Sequence, residues 1–158
     1  MNDVKIEIAD IGDAVEIARI SYQVGKMHDE AVPEYFKPTD EKEHLRIVTD
    51  MLKEKNVITF KAVCNGKICG FLFLEIVERA SRGLSFSKVG VILNFGVDEK
   101  CRRKGVGAAL MMFVEEYTKT QGLEVLDLNV FSFNKNAINF YQKMGYQITD
   151  LNMRKVLK

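Results

Sequence analysis

Between a β-rich run that ends at Val97 and a helical run that opens at Val106 stands Arg102-Arg103-Lys104-Gly105-Val106-Gly107, the stretch that most restricts the fold. The start of a helix carries partial positive charge and free N–H donors, so acidic residues normally gather there. Here Lys100, Arg102, Arg103 and Lys104 crowd it instead. Two glycines follow, each about 1 kcal/mol poorer than alanine inside a helix. One arrangement accounts for both oddities: backbone N–H groups close on an anion, and neighbouring cations offset its charge. The chain is read as containing a strand–turn–helix unit that binds a phosphate-bearing ligand. The turn lacks the Lys-Ser/Thr ending of a P-loop, and its cations precede its glycines, unlike Gly-x-Gly-x-x-Gly.

The rest of the pattern supplies the sheet around that unit. Val4 to Ala9 alternates as a short strand, and Asp10 or Asp13 caps a helix with Ile11, Ala14, Val15, Ala18 and Tyr22 at helical spacing to about Val24. Gly25 to Pro38 reads as irregular, and Thr39 or Asp40 opens a helix to about Lys55. Val57 to Val63 and Lys67 to Val77 are strand-like and flank Asn65-Gly66, the strongest short-range hairpin signal. Ser87 to Val97 is a further strand. After the glycines, Val106, Ala109, Leu110, Phe113, Val114 and Tyr117 share a helix face that Gly122 ends. Glu124 to Val130 is a strand, Asn134 caps a short helix ending at Gly145, and Gln147 to Leu157 is expected to return as one or two strands. So few crossovers cannot cover both faces of a parallel sheet. The expectation is a mixed sheet, antiparallel through the hairpin and parallel across the glycine helix.

At 158 residues the chain is one domain's worth, 1–158, enough to bury roughly two-thirds of its unfolded surface. Its net charge of +1 gives no global field for nucleic acid or an anionic membrane, so the basic cluster is a local feature. No apolar run approaches the ~20 residues of a membrane span, and Met1 to Ile8 lack the apolar core of a signal peptide. Cys64, Cys69 and Cys101 have no metal-type spacing, and Cys64 and Cys69 read as small apolar strand residues. A cytoplasmic location, with no metal, is expected.

A second constellation is Asn134-x-x-Ala137-x-x-Phe140-Tyr141-x-x-x-Gly145-Tyr146. Asn134 and Tyr141 lie seven residues apart, on one helix face and about 10 Å apart along the axis. With Asn94-Phe95-Gly96-Val97 and the basic glycine turn, in that order, the chain resembles the GNAT superfamily of acyl-CoA N-acyltransferases. The resemblance is strongest from Ser87 to Tyr146. The family often has proline where this chain has Glu99.

The resemblance implies an α/β (α+β) fold: a mixed, mostly antiparallel sheet of about six to seven strands with about four helices, splayed at the acyl-CoA-binding strand. It implies acetyl-CoA as co-substrate, its pyrophosphate on the turn Arg102, Arg103, Lys104, Gly105, Val106, Gly107 and Ala108. It implies backbone contacts from Phe95 and Val97 to the pantetheine arm, with Gly96 allowing close approach. Asn134 matches the family's asparagine on that arm. Tyr141 matches its tyrosine near the thioester sulfur, a general acid for a thiolate whose pKa is near ~8.5. The acceptor is then a primary amine on a small molecule or a peptide N-terminus, attacking directly, with Phe95 or Val97 N–H holding the oxyanion.

Relatives that modify ribosomal proteins often place a glutamate base twelve residues before the tyrosine, where this chain has Asn129. A water on Asn129, or Glu75 on the third strand, is the expected substitute. His28 shares with Asp29, Glu30, Glu34, Tyr35 and Phe36 the segment that borders the acceptor in this family. His44 is expected on a helix surface. A homodimer is a family habit, and a non-catalytic acyl-CoA sensor is the competing reading. The near-neutral charge speaks against a nucleic-acid module.

Overall fold

A computed structural model describes residues 4–78 and 87–157. The chain runs β1 (Val4–Ile8), α1 (Ala14–Ala31), α2 (Glu41–Lys53), β2 (Val57–Cys64), β3 (Lys67–Glu78) and β4 (Lys88–Val97). It then continues through α3 (Val106–Thr120), β5 (Leu126–Leu128) and α4 (Lys135–Lys143). Among the described residues the strands form one five-stranded sheet in chain order. β1 to β4 pair antiparallel, and β5 lies parallel to β4. This is the mixed sheet expected from the sequence. The hairpin between β2 and β3 turns at Asn65 and Gly66, with φ of 51° and 73°, the left-handed pair a tight hairpin requires.

The strand count falls short of six to seven because Gln147 to Leu157 forms no strand. Its apolar residues fall at 148, 151, 153, 156 and 157, divided between the two faces of an extended chain, so neither face is uniformly apolar. Leu151 and Met153 are 84% and 91% exposed. β5 is likewise shorter than the expected Glu124 to Val130.

Two cores flank the sheet, which explains why β3 is apolar without interruption from Ile68 to Leu74. Phe71 and Phe73 pack with Ile17, Ile20 and Val48 under α1 and α2. Leu72 and Leu74 alternate to the other face and pack with Leu110, Met111 and Val114 of α3. Truncating one of these fully buried side chains to alanine costs about 2–5 kcal/mol.

α1 continues to Ala31, through the first half of the Gly25 to Pro38 segment expected to be irregular; the second half is irregular as expected. Gly25 permits the continuation: a Cβ there would stand 2.5 Å from the ring of His44 on α2. His44 is therefore not a surface residue; it is 6% exposed and bonded on both ring nitrogens. The Thr39 hydroxyl donates to Asp29 Oδ2 (3.2 Å) and so accepts from His44 Nε2 at 3.0 Å. Nδ1 then accepts from Ser21 Oγ at 2.9 Å. This buried chain pins the 32–39 connection against α1. Across the hairpin Cys64 and Cys69, expected to be plain apolar strand residues, have their Cα atoms 6.1 Å apart and their sulfurs joined in a disulfide. No helix among the described residues is long and apolar enough to cross a membrane.

Candidate active site

β4 creates the site by outrunning its partner. Its pairing with β5 covers only Gly90, Val91 and Ile92, opposite Leu126, Asp127 and Leu128. Beyond Ile92, β4 stays bonded to β3 on its other side through Phe95↔Leu72 and Val97↔Gly70, with an irregularity that leaves Leu93 unmatched. Pairing between the two parallel strands stops there, and from Leu93 to Val97 the β5 side of β4 has no partner strand among the described residues. This gap in the pairing is where the resemblance implied a splay.

At the end of β4 the chain turns into α3. Asp98 caps a short 3-10 turn, Glu99–Cys101, by accepting from Lys100 N at 2.9 Å. Arg102 Nε donates to Val97 O at 3.1 Å, and Lys104 Nζ donates to Lys100 O at 2.8 Å. These two cations brace the turn itself, while Lys100 and Arg103 stand exposed beside it. Gly105 is the N-cap of α3 at φ 83°, with no side-chain cap and no acidic residue in the first turn. The first α3 hydrogen bond runs from Ala109 N to Gly105 O. Among the described residues the N–H groups of Val106, Gly107 and Ala108 therefore have no acceptor and open beside the basic turn.

α4 brings the tyrosine to this strand. Phe95 of β4 stacks on Phe140 with ring centroids 6.0 Å apart, and Tyr141 lies 6.4 Å from Phe95. Gly107 belongs to the same packing, since a Cβ there would lie 3.1 Å from Phe95 Cζ. The elements thus gather Phe95, Val97, the turn from Arg102 to Ala108, and Tyr141. Burial pushes the Tyr141 phenol up to about 12, so it stays protonated throughout the physiological range. Behind it Tyr146 packs 5.9 Å away, its phenol driven higher still by burial and by the charge of Glu115. The hydroxyl of Tyr146 and Oε1 of Glu115 are both buried without a hydrogen-bond partner among the described residues.

Other expected residues behave differently. Asn134 Oδ1 accepts from Ala137 N at 3.1 Å, so part of its role is to cap α4. Asn129 stands exposed just past β5. Glu75 is opposite Val91, four positions up β4 from Phe95 and so about 13 Å away along the sheet. It accepts from Asn56 Nδ2 at 2.5 Å, and the structure does not bring it to the tyrosine. Gly96 makes room for Phe71 of β3 and for α1: a Cβ would meet Phe71 at 2.7 Å and Val24 at 2.9 Å. The Phe95 N–H, an expected oxyanion donor, is engaged by Asn94 Oδ1 at 2.8 Å.

Sequence reasoning passed over an aromatic group at the mouth of the gap. Phe131 and Phe133, between β5 and α4, meet Phe36 and His28. Two phenylalanines in a connection that carries no core were the available signal. Arg19 was also passed over; it pairs with Asp98 at the base of the turn, Nη1 to Oδ2 2.5 Å. Burial raises the Asp98 carboxyl, but the Lys100 N–H and Arg19 outweigh it and leave the group below its ordinary range.

A family model described as the acetyltransferase (GNAT) family matches residues 24–146. With the "Uncharacterized N-acetyltransferase YdgE" of Bacillus subtilis (strain 168) the chain is 40% identical over 70 residues, 44% of this chain and 45% of that protein. The match thus spans less than half of that relative's length. With the glucosamine 6-phosphate N-acetyltransferase of Trypanosoma brucei brucei it is 28% identical over 110 residues, 68% of this chain and 71% of that one. Among solved structures, the tetramutant of BH1408 protein from Bacillus halodurans superimposes with a TM-score of 0.90 at 22% identity, over 97% of this chain and 99% of that one. The aminoglycoside N-acetyltransferase AAC(6')-Iy in complex with CoA superimposes with a TM-score of 0.78 at 16% identity, over 100% and 97%. At these identities the structural likeness speaks for the fold. The open-edged β4, the uncapped glycine turn, the tyrosine helix and the family match together make this chain a member of the acetyltransferase (GNAT) family.

Proposed function

We propose that the protein transfers an acetyl group from acetyl-CoA to a primary amine by direct attack within one ternary complex. The observation that carries this reading is the convergence of three features on one end of β4: uncapped N–H groups, a free strand edge and a protonated tyrosine. The N–H groups of Val106, Gly107 and Ala108 suit a pyrophosphate, with Lys100 and Arg103 offsetting its charge. The free edge of β4 offers backbone groups to the pantetheine amides, as one strand does to another. Acetyl-CoA supplies an activated acyl group as a thioester. Tyr141, kept protonated by burial, donates to the departing sulfur. The related chain in complex with CoA supports the choice of co-substrate.

Two measurements test this reading. Calorimetry should show CoA binding, and thiol release from acetyl-CoA should require an amine. Tyr141→Phe should bind CoA as the parent does while losing about 10²–10⁴ in turnover. A protein that binds neither CoA nor acetyl-CoA would refute the reading.

A further inference from the structure

We propose that His28 Nε2 accepts the proton of the acceptor amine, and that the phenyl rings around it select an amine carried on an apolar, preferably aromatic, body. This rests on the acetyl-transfer reading above and deepens it by naming a base and a substrate class.

The placement comes from two contacts. Val24 and Ile20 of α1 pack against Gly96 of β4, between Phe95 and Val97. His28 is one turn further along α1, about 6 Å on. There its ring meets Phe131 and Phe133, which lead from β5 into the helix of Tyr141, at centroid distances of 5.5 and 5.6 Å. His28 thus bridges the β4 side and the β5 side of the gap, at its mouth. Phe36, from the connection after α1, closes a third side at 5.8 Å.

The tautomer follows from one hydrogen bond. Nδ1 lies 2.8 Å from the Val24 carbonyl oxygen, which can only accept, so Nδ1 carries the hydrogen. In the neutral ring the lone pair is then on Nε2, which has no hydrogen-bond partner among the described residues. Imidazole is the side chain suited to exchange a proton near neutral pH. The carboxylates that the sequence offers near this segment are engaged elsewhere or exposed. Asp29 accepts from Thr39 N and Oγ1, Glu30 pairs with Lys26, and Glu75 is held by Asn56. Glu34 and Lys37 are exposed, Arg154 lies over the Tyr35 ring, and the 131–133 connection carries no charged side chain.

The rings define the substrate. Phe131 is 44% exposed and Tyr35 40%, and neither belongs to the two cores. Phe36 meets Phe131 edge-on at 5.1 Å, and Phe133 stacks on Phe131 at 5.9 Å. Such a wall offers apolar faces and few hydrogen bonds, which fits an arylalkylamine better than an aminosugar.

The step balances. His28 Nε2 takes one proton from the ammonium, and the freed nitrogen lone pair forms the N–C bond to the acetyl carbonyl carbon. The C–S bond breaks with its electron pair on sulfur, and Tyr141 gives that sulfur a proton. The second nitrogen proton passes to the Tyr141 oxygen, and His28 releases its own to solvent. An ammonium and a thioester become an amide, a thiol and one proton.

The test uses the full chain, acetyl-CoA, and phenethylamine beside glucosamine 6-phosphate and kanamycin. His28→Gln should lower kcat/KM for phenethylamine by about 10² near neutral pH and leave CoA binding unchanged. Because the amine with pKa ~10 deprotonates unaided as pH rises, the deficit should shrink several-fold by about pH 9.5. Phe131→Ala should raise KM for phenethylamine roughly tenfold, with kcat little altered. Phenethylamine should exceed both amino sugars in kcat/KM by at least about tenfold. A deficit in His28→Gln that stays constant with pH, or no deficit, overturns the base assignment while transfer itself stands. Preference for an amino sugar overturns the substrate class. CoA binding without turnover of any amine overturns this proposal and the catalytic reading together.

Discussion

Arg19 on α1 and Asp98 at the end of β4 form an ion pair, Nη1 to Oδ2 2.5 Å, in which the carboxylate side chain is only 9% exposed. Asp98 also caps the 3-10 turn through Lys100 N and donates its own N–H to Cys69 O at 2.9 Å. The buried carboxylate therefore ties α1 to the start of the basic turn, and the backbone N–H of the same residue ties the end of β4 to β3. Arg19→Ala leaves it half satisfied, which should cost about 1–2 kcal/mol and lower the melting temperature by roughly 3–8 °C. The Asp98 carboxyl is held below its ordinary range, so its contribution is present above that range and fades as pH falls through it. Thermal melts of the parent and Asp98→Asn should therefore differ most near neutral pH and converge in acid.

Gly105 and Gly107 should fail for different reasons. Gly105 has φ 83° and nothing within 4 Å of a built Cβ, so Gly105→Ala meets strain alone, about 1–2 kcal/mol. Gly105→Asn should be milder, because asparagine tolerates the left-handed region. Gly107→Ala pushes instead on Phe95, 3.1 Å away, and through it on Phe140. Melting temperatures and CoA calorimetry would separate them: Gly105→Ala should weaken CoA binding, and Gly107→Ala should also depress turnover by displacing the ring beside Tyr141.

The Gly25–His44 contact yields a stability change with a defined pH sign. Gly25→Ala forces a methyl group to 2.5 Å from the imidazole and should cost about 1–3 kcal/mol. Burial holds the His44 pKa below its ordinary 6.5, against the opposing charge of Asp29. The unfolded chain therefore takes up the proton first as pH falls, and stability should drop from about pH 6.5 downward. Melting curves from pH 7.5 to 5 should show this loss in the parent and a flatter profile in His44→Gln.

Asn134 has a capping role that can be separated from a ligand role. Asn134→Ala removes the acceptor for Ala137 N and should cost about 1 kcal/mol in a nine-residue helix. Asn134→Asp keeps the acceptor but loses the amide donor. It should restore the melting temperature while leaving KM for acetyl-CoA raised. Equal KM in Asn134→Asp and the parent would reduce Asn134 to a cap.

The parts of this protein legible in sequence are those whose cause is local. Asn65-Gly66 needs left-handed φ at both positions, Asp40 and Asn134 cap within three residues, and the glycine turn sits between a strand and a helix whatever surrounds it. What escaped depends on distant partners. Gly25 looks like a helix end until His44, nineteen residues on, is seen filling its missing side chain. His44 looks like a surface residue until Ser21 and Thr39 satisfy both its nitrogens. The place of Glu75 also depends on register, since pairing with Val91 rather than Phe95 is a property of the sheet.

The short pairing of β5 has a further effect on how the chain behaves at high concentration. From Leu93 to Val97 one side of β4 has no partner strand among the described residues, only the local contacts of Asn94 Oδ1 and Arg102 Nε, and Leu93 beside them is 43% exposed. Such a ledge is a template for any extended peptide, including a neighbour's. The chain's colloidal weak point and its proposed chemistry share one address, and a small molecule seated there should keep the protein in solution as well as turn it over.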